Sequence, residues 1–184
     1  QAMRVSPTPR AVFFDKDRGA EIFVRAIGGA YEVLSPGTPT GFNPLQLENT
    51  GENREFLVRL LKAMLRGDRR TDFTQEDVDT LEKAIVRIMQ EPAAQRNLPN
   101  LAGLLMGRSK ADANDLYSRL RPWIEGEKAW LFNAPHDVLS FSGHSVFGFD
   151  MTNILGNEEL RAPALMYLYH RLDELLDGNP VMFF

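Results

Sequence analysis

The sequence predicts an α/β domain in which a parallel sheet is interrupted by a helical insertion. A strand–helix–strand pattern opens the chain, and the same pattern returns near its end. Between them the apolar residues recur at helical spacing. Alternating strand and helix signals favour a parallel sheet with right-handed crossovers. We therefore divide one domain into a first β-α-β part at 1–47, a helical insertion at 52–125 and a second β-α-β part at 145–184.

The first part contains two predicted strands joined by a helix. The apolar run at 11–14 predicts a strand, and the helical pattern that follows it ends at the glycine pair 28–29. Residues 31–34 predict a second strand. Residues 35–47 contain three prolines and two glycines, which exclude regular structure.

The insertion carries two strong helix patterns and one weaker one. An apolar stripe at 56–65 predicts the first helix. Thr74 and Asp77 have the spacing of a capping box, so a second helix begins there and ends before Pro92. A third helix is predicted near 110–120.

The second part has the same order as the first. Residues 146–150 predict a strand, and leucines at helical spacing from 165 to 175 predict a helix that Gly178 ends. The apolar run at 180–184 is typical of a strand in the middle of a sheet. Because the sequence stops there, we expect the chain to be a piece of a longer protein.

Composition limits the classes of function. The net charge is −4, which provides no global basic field for nucleic acid. The chain has no cysteine, which excludes disulfides, thiolate metal sites and cysteine nucleophiles. No apolar stretch is long enough to span a membrane, and there is no signal-peptide pattern. We therefore expect no transmembrane segment.

Three carboxylates come at the ends of predicted strands. Asp15 and Asp17 follow the first strand, and Asp150 ends the third. Residues two apart in an extended chain face the same side, so we expect the first two carboxylates to converge where open parallel sheets bind ligands. F-F-D-K-D is similar to the start of the Mg²⁺-dependent haloacid-dehalogenase phosphatases, but the pattern breaks at Arg18 and lacks a later acidic pair. In the alternative interpretation, Asp17 caps the next helix and Asp15 binds loop amides.

Other catalytic patterns are absent from the sequence. It contains no glycine-rich loop with Lys followed by Ser or Thr, and the nearest similar stretch, 103–110, is predicted to be a loop between helices. His136, His144 and His170 have no partner at ligand spacing, so we expect surface or packing roles. We assign no catalytic residue and no metal ligand.

Four segments together resemble the type IV secretion ATPases of the CagE/TrbE family, which includes the fourth VirB component. They are F-F-D-K-D-R-G-A-E-I-F-V-R-A-I-G-G at 13–29, P-T-G-F-N-P-L at 39–45, G-F-D-M-T at 148–152, and the stretch 161–184. Their order and spacing make the resemblance specific, and it covers nearly the whole chain. It implies an incomplete RecA-like P-loop NTPase core with an α-helical insertion.

The resemblance also implies a place in a larger protein. In this family the Walker A loop precedes the region matching residue 1, and the Walker B acidic pair follows the strand matching 181–184. The chain then corresponds to the part of the motor domain between those motifs. We expect the isolated chain to bind and hydrolyse nucleotide poorly.

The parent is implied to hydrolyse ATP with Mg²⁺ and to power conjugation or effector export. It would do so at the cytoplasmic face of the bacterial inner membrane, with other type IV secretion components and copies of itself. Asp15, Asp17 and Asp150 are the candidates for residues near the nucleotide, with Arg18 and Arg161 as further candidates for charge contacts. Two other functions remain open, the phosphatase and a non-catalytic module in which the insertion docks a partner.

Overall fold

The computed structural model describes residues 9–66, 72–106, 115–173 and 180–184. Its strands are β1 (Arg10–Asp15), β2 (Ala30–Val33), β3 (Val146–Asp150) and β4 (Val181–Phe183). Its α-helices are α1 (Glu21–Ala26), α2 (Gly51–Arg66), α3 (Gln75–Met89), α4 (Leu98–Leu105), α5 (Leu116–Leu120), α6 (Ala129–Phe132), α7 (Thr152–Leu155) and α8 (Glu158–Leu172). Short 3-10 turns lie at Pro44–Gln46, Ala93–Gln95 and Arg121–Trp123.

The four strands form one parallel sheet in the order β2-β3-β1-β4. The predicted parallel sheet is therefore correct, but β1 and β2 are not neighbours, because β3 lies between them. β3 pairs with β1 through Phe149 opposite Phe14, and with β2 through Gly148 opposite Tyr31. The carboxyl ends of β1 and β3 consequently lie side by side.

The last strand does not have the central position that its apolar sequence predicted. Within the described sheet, β4 lies at an edge and pairs with β1, with Phe183 opposite Val12. Met182 and Phe184 are 46% and 62% exposed. Phe184 stacks on Phe13 at a centroid distance of 4.8 Å. Contact with one neighbouring strand therefore leaves part of this apolar run in contact with solvent.

One face of the sheet packs on the helices and forms the core. Val12 and Phe149 are buried on this face, and Phe14 contacts both Phe149 and the ring of Tyr169 on α8. Side chains on a strand alternate between faces, so these positions meet α8 together. The long helix that follows β3 thus fixes the sheet from one side.

The helical insertion packs around α2. The predicted stripe of α2 is buried along its whole length, at Phe56, Leu57, Leu60, Leu61, Met64 and Leu65. At the start of α3, the predicted capping box is present, because Thr74 accepts a hydrogen bond from the Asp77 amide and Asp77 accepts one from the Thr74 amide. The indole of Trp123 donates to the carbonyl of Met64 at 3.1 Å.

A helix that the sequence analysis did not predict lies at α4. The prediction of a loop at 103–110 was wrong for Gly103, which lies inside this helix, while Arg108 and Lys110 lie outside the described residues. Asn97 caps the helix by accepting from the Asn100 amide at 2.9 Å. An asparagine cap with a proline in the first turn is a helix-start signal that could have been recognised. Of the weaker helix predicted near 110–120, residues 110–114 lie outside the described residues, and the described part forms α5.

Buried Asn43 and partly buried Asp137 tie the irregular stretch after β2 to the rest of the fold. Asn43 is fully buried and donates to the carbonyls of Arg96 and Ala134, both at 2.9 Å. Its backbone amide donates to Oδ1 of Asp137, whose Oδ2 accepts from the hydroxyl of Tyr167 at 2.6 Å. Buried polar groups require such partners. These contacts connect the insertion, the stretch after β2 and helix α8.

Candidate functional site

The carboxyl ends of β1 and β3 place two acidic residues next to each other. Asp15 is the last residue of β1 and lies opposite Asp150, the last residue of β3. Both therefore project to the same face of the sheet. This edge is where open parallel sheets bind ligands, so it is the candidate site.

The carboxylate of Asp15 holds the loop that follows β1. Its Oδ2 accepts from the Ala20 amide at 2.8 Å and from the hydroxyl of Tyr31 at 2.5 Å. The nearby amides of Lys16 and Gly19 also favour the ionised carboxylate. Burial alone raises the pKa of Asp15, but the hydrogen bonds from Tyr31 and Ala20, together with these amides, outweigh it and hold the pKa below its usual value. Asp15 is consequently an ionised acceptor in a closed network.

The phenol of Tyr31 is a buried donor to that network. Burial, followed by the hydrogen bond to Asp15 and the negative charges of Asp15 and Asp150, raises the pKa of Tyr31. The hydroxyl therefore stays protonated and donates a hydrogen bond to the Asp15 carboxylate. The Tyr31 ring lies over Gly148 on the central strand β3, where a Cβ would come within 2.4 Å of the ring.

A second anchor comes from the turn after β3. Asp150 is buried, and its Oδ1 accepts from the amide of Thr152 at 3.0 Å and from the Thr152 hydroxyl. The oxygen of that hydroxyl accepts in turn from the amide of Asp17 at 2.7 Å. The turn after β3 is therefore hydrogen-bonded to the backbone of the loop that follows β1.

The loop itself has an unusual backbone. Asp17 and Arg18 have φ of +59° and +58°, in the left-handed region that non-glycine residues rarely adopt. Because β1 ends at Asp15, strand alternation does not extend to Asp17. The expectation that alternation directs both carboxylates to one side was therefore wrong.

The non-catalytic interpretation of the aspartates is half correct. Asp15 binds loop amides as it predicted. Asp17 does not cap α1, because the N-cap residue is Ala20, and this cap makes no side-chain hydrogen bond. The Asp17 side chain is exposed and makes no hydrogen bond or ion pair within the described part of the chain.

The two candidate arginines lie in different places. Arg18 projects from the loop and pairs with Glu21 at 2.8 Å, and Glu21 also pairs with Arg25 at 2.9 Å. Arg161 is exposed on α8 and donates to the carbonyl of Leu155 at 3.2 Å. It borders a surface depression with α2 residues Arg59, Lys62, Ala63 and Arg66. The structure therefore brings Arg18 to the candidate site and places Arg161 beside the insertion.

Two of the three histidines pack against other residues rather than facing the site. His170 stacks on Phe56 at 3.7 Å, and its Nε2 lies 2.7 Å from Oδ1 of Asn53. Nδ1 of His144 lies 2.8 Å from the carbonyl of Gly28. Over the described ranges, no three His, Cys, Asp or Glu side chains converge in a way that would hold a metal ion.

Sequence reasoning missed the residues that hold the loop. Tyr31 lies within a strand and looks like an ordinary core residue, so its hydroxyl carried no signal. Thr152 follows an Asp by two residues, a local spacing at which side-chain-to-backbone hydrogen bonds are common and which could have been noticed. Gly148 lies inside a predicted strand, where a glycine often marks a close approach by a neighbour.

Comparison with known proteins identifies the chain's relatives. It is 39% identical over 176 residues to the type IV secretion system protein virB4 of Bartonella henselae, covering 95% of this chain and 22% of that protein. It is 39% identical over 175 residues to the type IV secretion system protein PtlC of Bordetella pertussis, covering 91% and 21%. It is 36% identical over 177 residues to virB4 of Brucella suis, covering 91% of this chain and 21% of that protein. The chain thus spans 21–22% of the length of these curated relatives.

A solved structure supports the fold. The structure of VirB4 of Thermoanaerobacter pseudethanolicus matches with a TM-score of 0.65 and 18% identity, over 90% of this chain and 70% of that one. The predicted fold class is therefore confirmed as a partial RecA-like α/β core. No family model matches the chain. The sequence matches nevertheless confirm the predicted family: over the segment that it spans, the chain belongs to the VirB4/PtlC family of type IV secretion system proteins.

Proposed function

We propose that this chain is part of an ATP-hydrolysing motor that powers type IV secretion or conjugative transfer. The observation that carries the proposal is the 36–40% identity to virB4 and PtlC proteins over 91–95% of the chain. The charged loop at the carboxyl edge of a parallel sheet supports it, because ligands of open α/β sheets bind at that edge.

In this proposal the aspartates and Arg18 have different tasks. Asp17 and Arg18 have exposed side chains on the loop and face the nucleotide. Asp15 and Asp150 hold the loop from below through the hydrogen bonds already described. Arg161 fits a nucleotide contact less well, since it donates to the carbonyl of Leu155 at the end of α7 and borders a depression lined by cationic side chains of α2.

Magnesium, which ATP hydrolysis requires, does not fit Asp15 and Asp150 as its ligands. The carboxylates of Asp15 and Asp150 already accept hydrogen bonds from amides and hydroxyls. A Mg²⁺ ion needs carboxylate oxygens that are free to coordinate it. We therefore assign neither Asp15 nor Asp150 as a Mg²⁺ ligand.

The proposal extends to the setting of the full-length protein. It works with other type IV secretion components and with copies of itself, at the cytoplasmic face of the bacterial inner membrane. The names of the relatives support the secretion setting. Within the described ranges, no helix has both the length and the apolar character that crossing a membrane requires. The insertion at 52–125 is the surface that we propose for docking partners.

The test measures ATP hydrolysis by a full-length protein of this family that carries this segment. We expect Mg²⁺-dependent release of phosphate from ATP, and we expect Arg18→Ala to lower kcat by about tenfold or more, since a charge that stabilises a transferring phosphoryl group is lost. Arg121→Ala is the matched control, because Arg121 pairs with Glu125 on an exposed surface. A folded wild-type protein without ATPase activity would overturn the proposal.

The isolated 184-residue chain distinguishes the motor from the phosphatase. Calorimetric titration of the folded chain with Mg-ATP should show little or no binding. Mg²⁺-dependent release of phosphate from an aryl ester, abolished by Asp15→Asn, would favour the phosphatase instead. The hydrogen bonds that occupy Asp15 argue against a nucleophile at that position.

A further inference from the structure

We infer that Tyr31 and Thr152 are positioning residues that hold the loop 16–19 in the conformation required for ATP hydrolysis. This inference rests on the proposed function and deepens it. Neither residue needs to touch the nucleotide. Tyr31 acts through the carboxylate of Asp15, and Thr152 acts through the backbone amide of Asp17.

The loop needs such support because its backbone is strained. A non-glycine residue in the left-handed region is strained and persists where surrounding contacts over-determine it. Asp17 and Arg18 adopt this conformation consecutively. Glycine would adopt it without strain. The chain instead carries two charged, exposed side chains there.

The first anchor fixes the loop from the side of β2. Tyr31 is 4% exposed and reaches across the central strand to Asp15, where its hydroxyl and the Ala20 amide share Oδ2. The reach depends on Gly148, because any side chain at that position would displace the Tyr31 ring. The position of Asp15 is therefore set jointly by β1, β2 and β3.

The second anchor fixes the loop from the side of β3. The Thr152 hydroxyl donates to Asp150 and accepts from the Asp17 amide, so its hydrogen position is defined by both partners. This amide belongs to the first of the two strained residues. The Asp15 carboxylate holds the loop at Ala20, whereas Thr152 holds it at Asp17.

The experiment removes one hydroxyl at a time from a full-length protein of this family that carries this segment. Tyr31→Phe keeps the ring on Gly148 but removes the donor to Asp15. Thr152→Val keeps the side-chain shape but removes the hydroxyl. Thr152→Ser keeps the hydroxyl and removes only the methyl group. Tyr169→Phe is the matched control, because Tyr169 lies on the opposite face of the sheet and its hydroxyl has no hydrogen-bond partner among the described residues.

Two readouts are taken on each variant. We expect Tyr31→Phe and Thr152→Val to lower kcat by about tenfold or more, as small displacements of a reacting group do, with KM for ATP changed less than about threefold. Hydrogen exchange followed by mass spectrometry should be faster in peptides covering residues 15–20 in both variants. Thr152→Ser and Tyr169→Phe should resemble the wild type in both measurements.

The outcomes separate this inference from the proposed function. An active wild type whose Tyr31→Phe and Thr152→Val variants keep full kcat overturns the inference and leaves the motor intact. A purely structural role would lower the melting temperature without a change of kcat per folded molecule, which also overturns it. Absence of ATPase activity in the folded wild type overturns the proposed function and, with it, any role of Tyr31 and Thr152 in hydrolysis.

Discussion

The ring of Tyr31 lies against the backbone of Gly148, so close that a Cβ at position 148 would come within 2.4 Å of Tyr31 Cδ2. The two residues face each other in the β2–β3 register. A glycine in a central strand normally weakens the sheet because it has no side chain to pack. Here it makes room for the Tyr31 side chain, which reaches Asp15.

We expect Gly148→Ala to destabilise the protein by about 1–3 kcal/mol, as overpacking of a core position does. Chemical denaturation of both proteins gives this difference. Gly103→Ala is the control, because a Cβ there meets no atom within 4 Å and alanine favours a helix. Equal stability of Gly148→Ala and the wild type would show that the Tyr31 ring can move at no cost.

Asp137 and Arg171 form a buried ion pair, with 7% and 11% of their side chains exposed. We expect Asp137→Ala to cost about 3–5 kcal/mol, since it leaves the Arg171 charge buried without this partner. The double variant Asp137→Leu/Arg171→Met should recover part of that loss. Glu125→Ala, in an exposed pair with Arg121, should change stability by less than about 1 kcal/mol. A double variant no more stable than Asp137→Ala would contradict the expectation.

Asn43 joins the stretch after β2 to the insertion through buried hydrogen bonds. We expect Asn43→Ala to cost about 1–3 kcal/mol, because the carbonyl of Ala134 and the amide of Leu45 lose their partner in the interior. Limited proteolysis and denaturant unfolding both measure the effect. Asn100→Ala removes an exposed hydrogen bond to the Gln95 carbonyl and should be nearly neutral. Comparable losses in the two variants would contradict the assignment of Asn43 as a buried anchor.

Asp15 should make stability depend on pH in the acid range. Its pKa is lowered in the folded state, so its contribution is fully present above the unfolded value of about 3.9 and is lost as the pH falls through the folded value. The difference in unfolding free energy between wild type and Asp15→Asn should therefore be largest above about pH 5 and shrink below pH 4. A difference that stays constant from pH 6 to pH 2 would contradict this.

An NMR titration of Asp15 tests the contribution of the Tyr31 hydroxyl. Tyr31→Phe removes a hydrogen bond that lowers the pKa of Asp15. The NMR signal of the Asp15 carboxyl group should therefore titrate at a higher pH in Tyr31→Phe than in the wild type. An unchanged midpoint would mean that the loop amides alone hold the carboxylate.

Local elements were predictable where their signals lie within a few residues. The capping box of Thr74 and Asp77 and the apolar run of β1 marked their elements correctly, because helix caps and strand patterns act through neighbouring residues. The order of the strands was not predictable in this way. Insertion of β3 between β1 and β2 depends on contacts between residues more than a hundred positions apart.

The sequence by itself determined the parallel α/β class, the family, and the acidic residues at the strand ends, since these depend on periodicity, motif order and chain direction. The tertiary structure alone decided what those residues do. Asp15 became the acceptor of a closed network only because β3 brings Gly148 between it and Tyr31. Asp17 became an exposed, strained loop residue because Thr152 holds its amide across the sheet edge. Such contacts are set by the packing of distant strands, which no local pattern encodes.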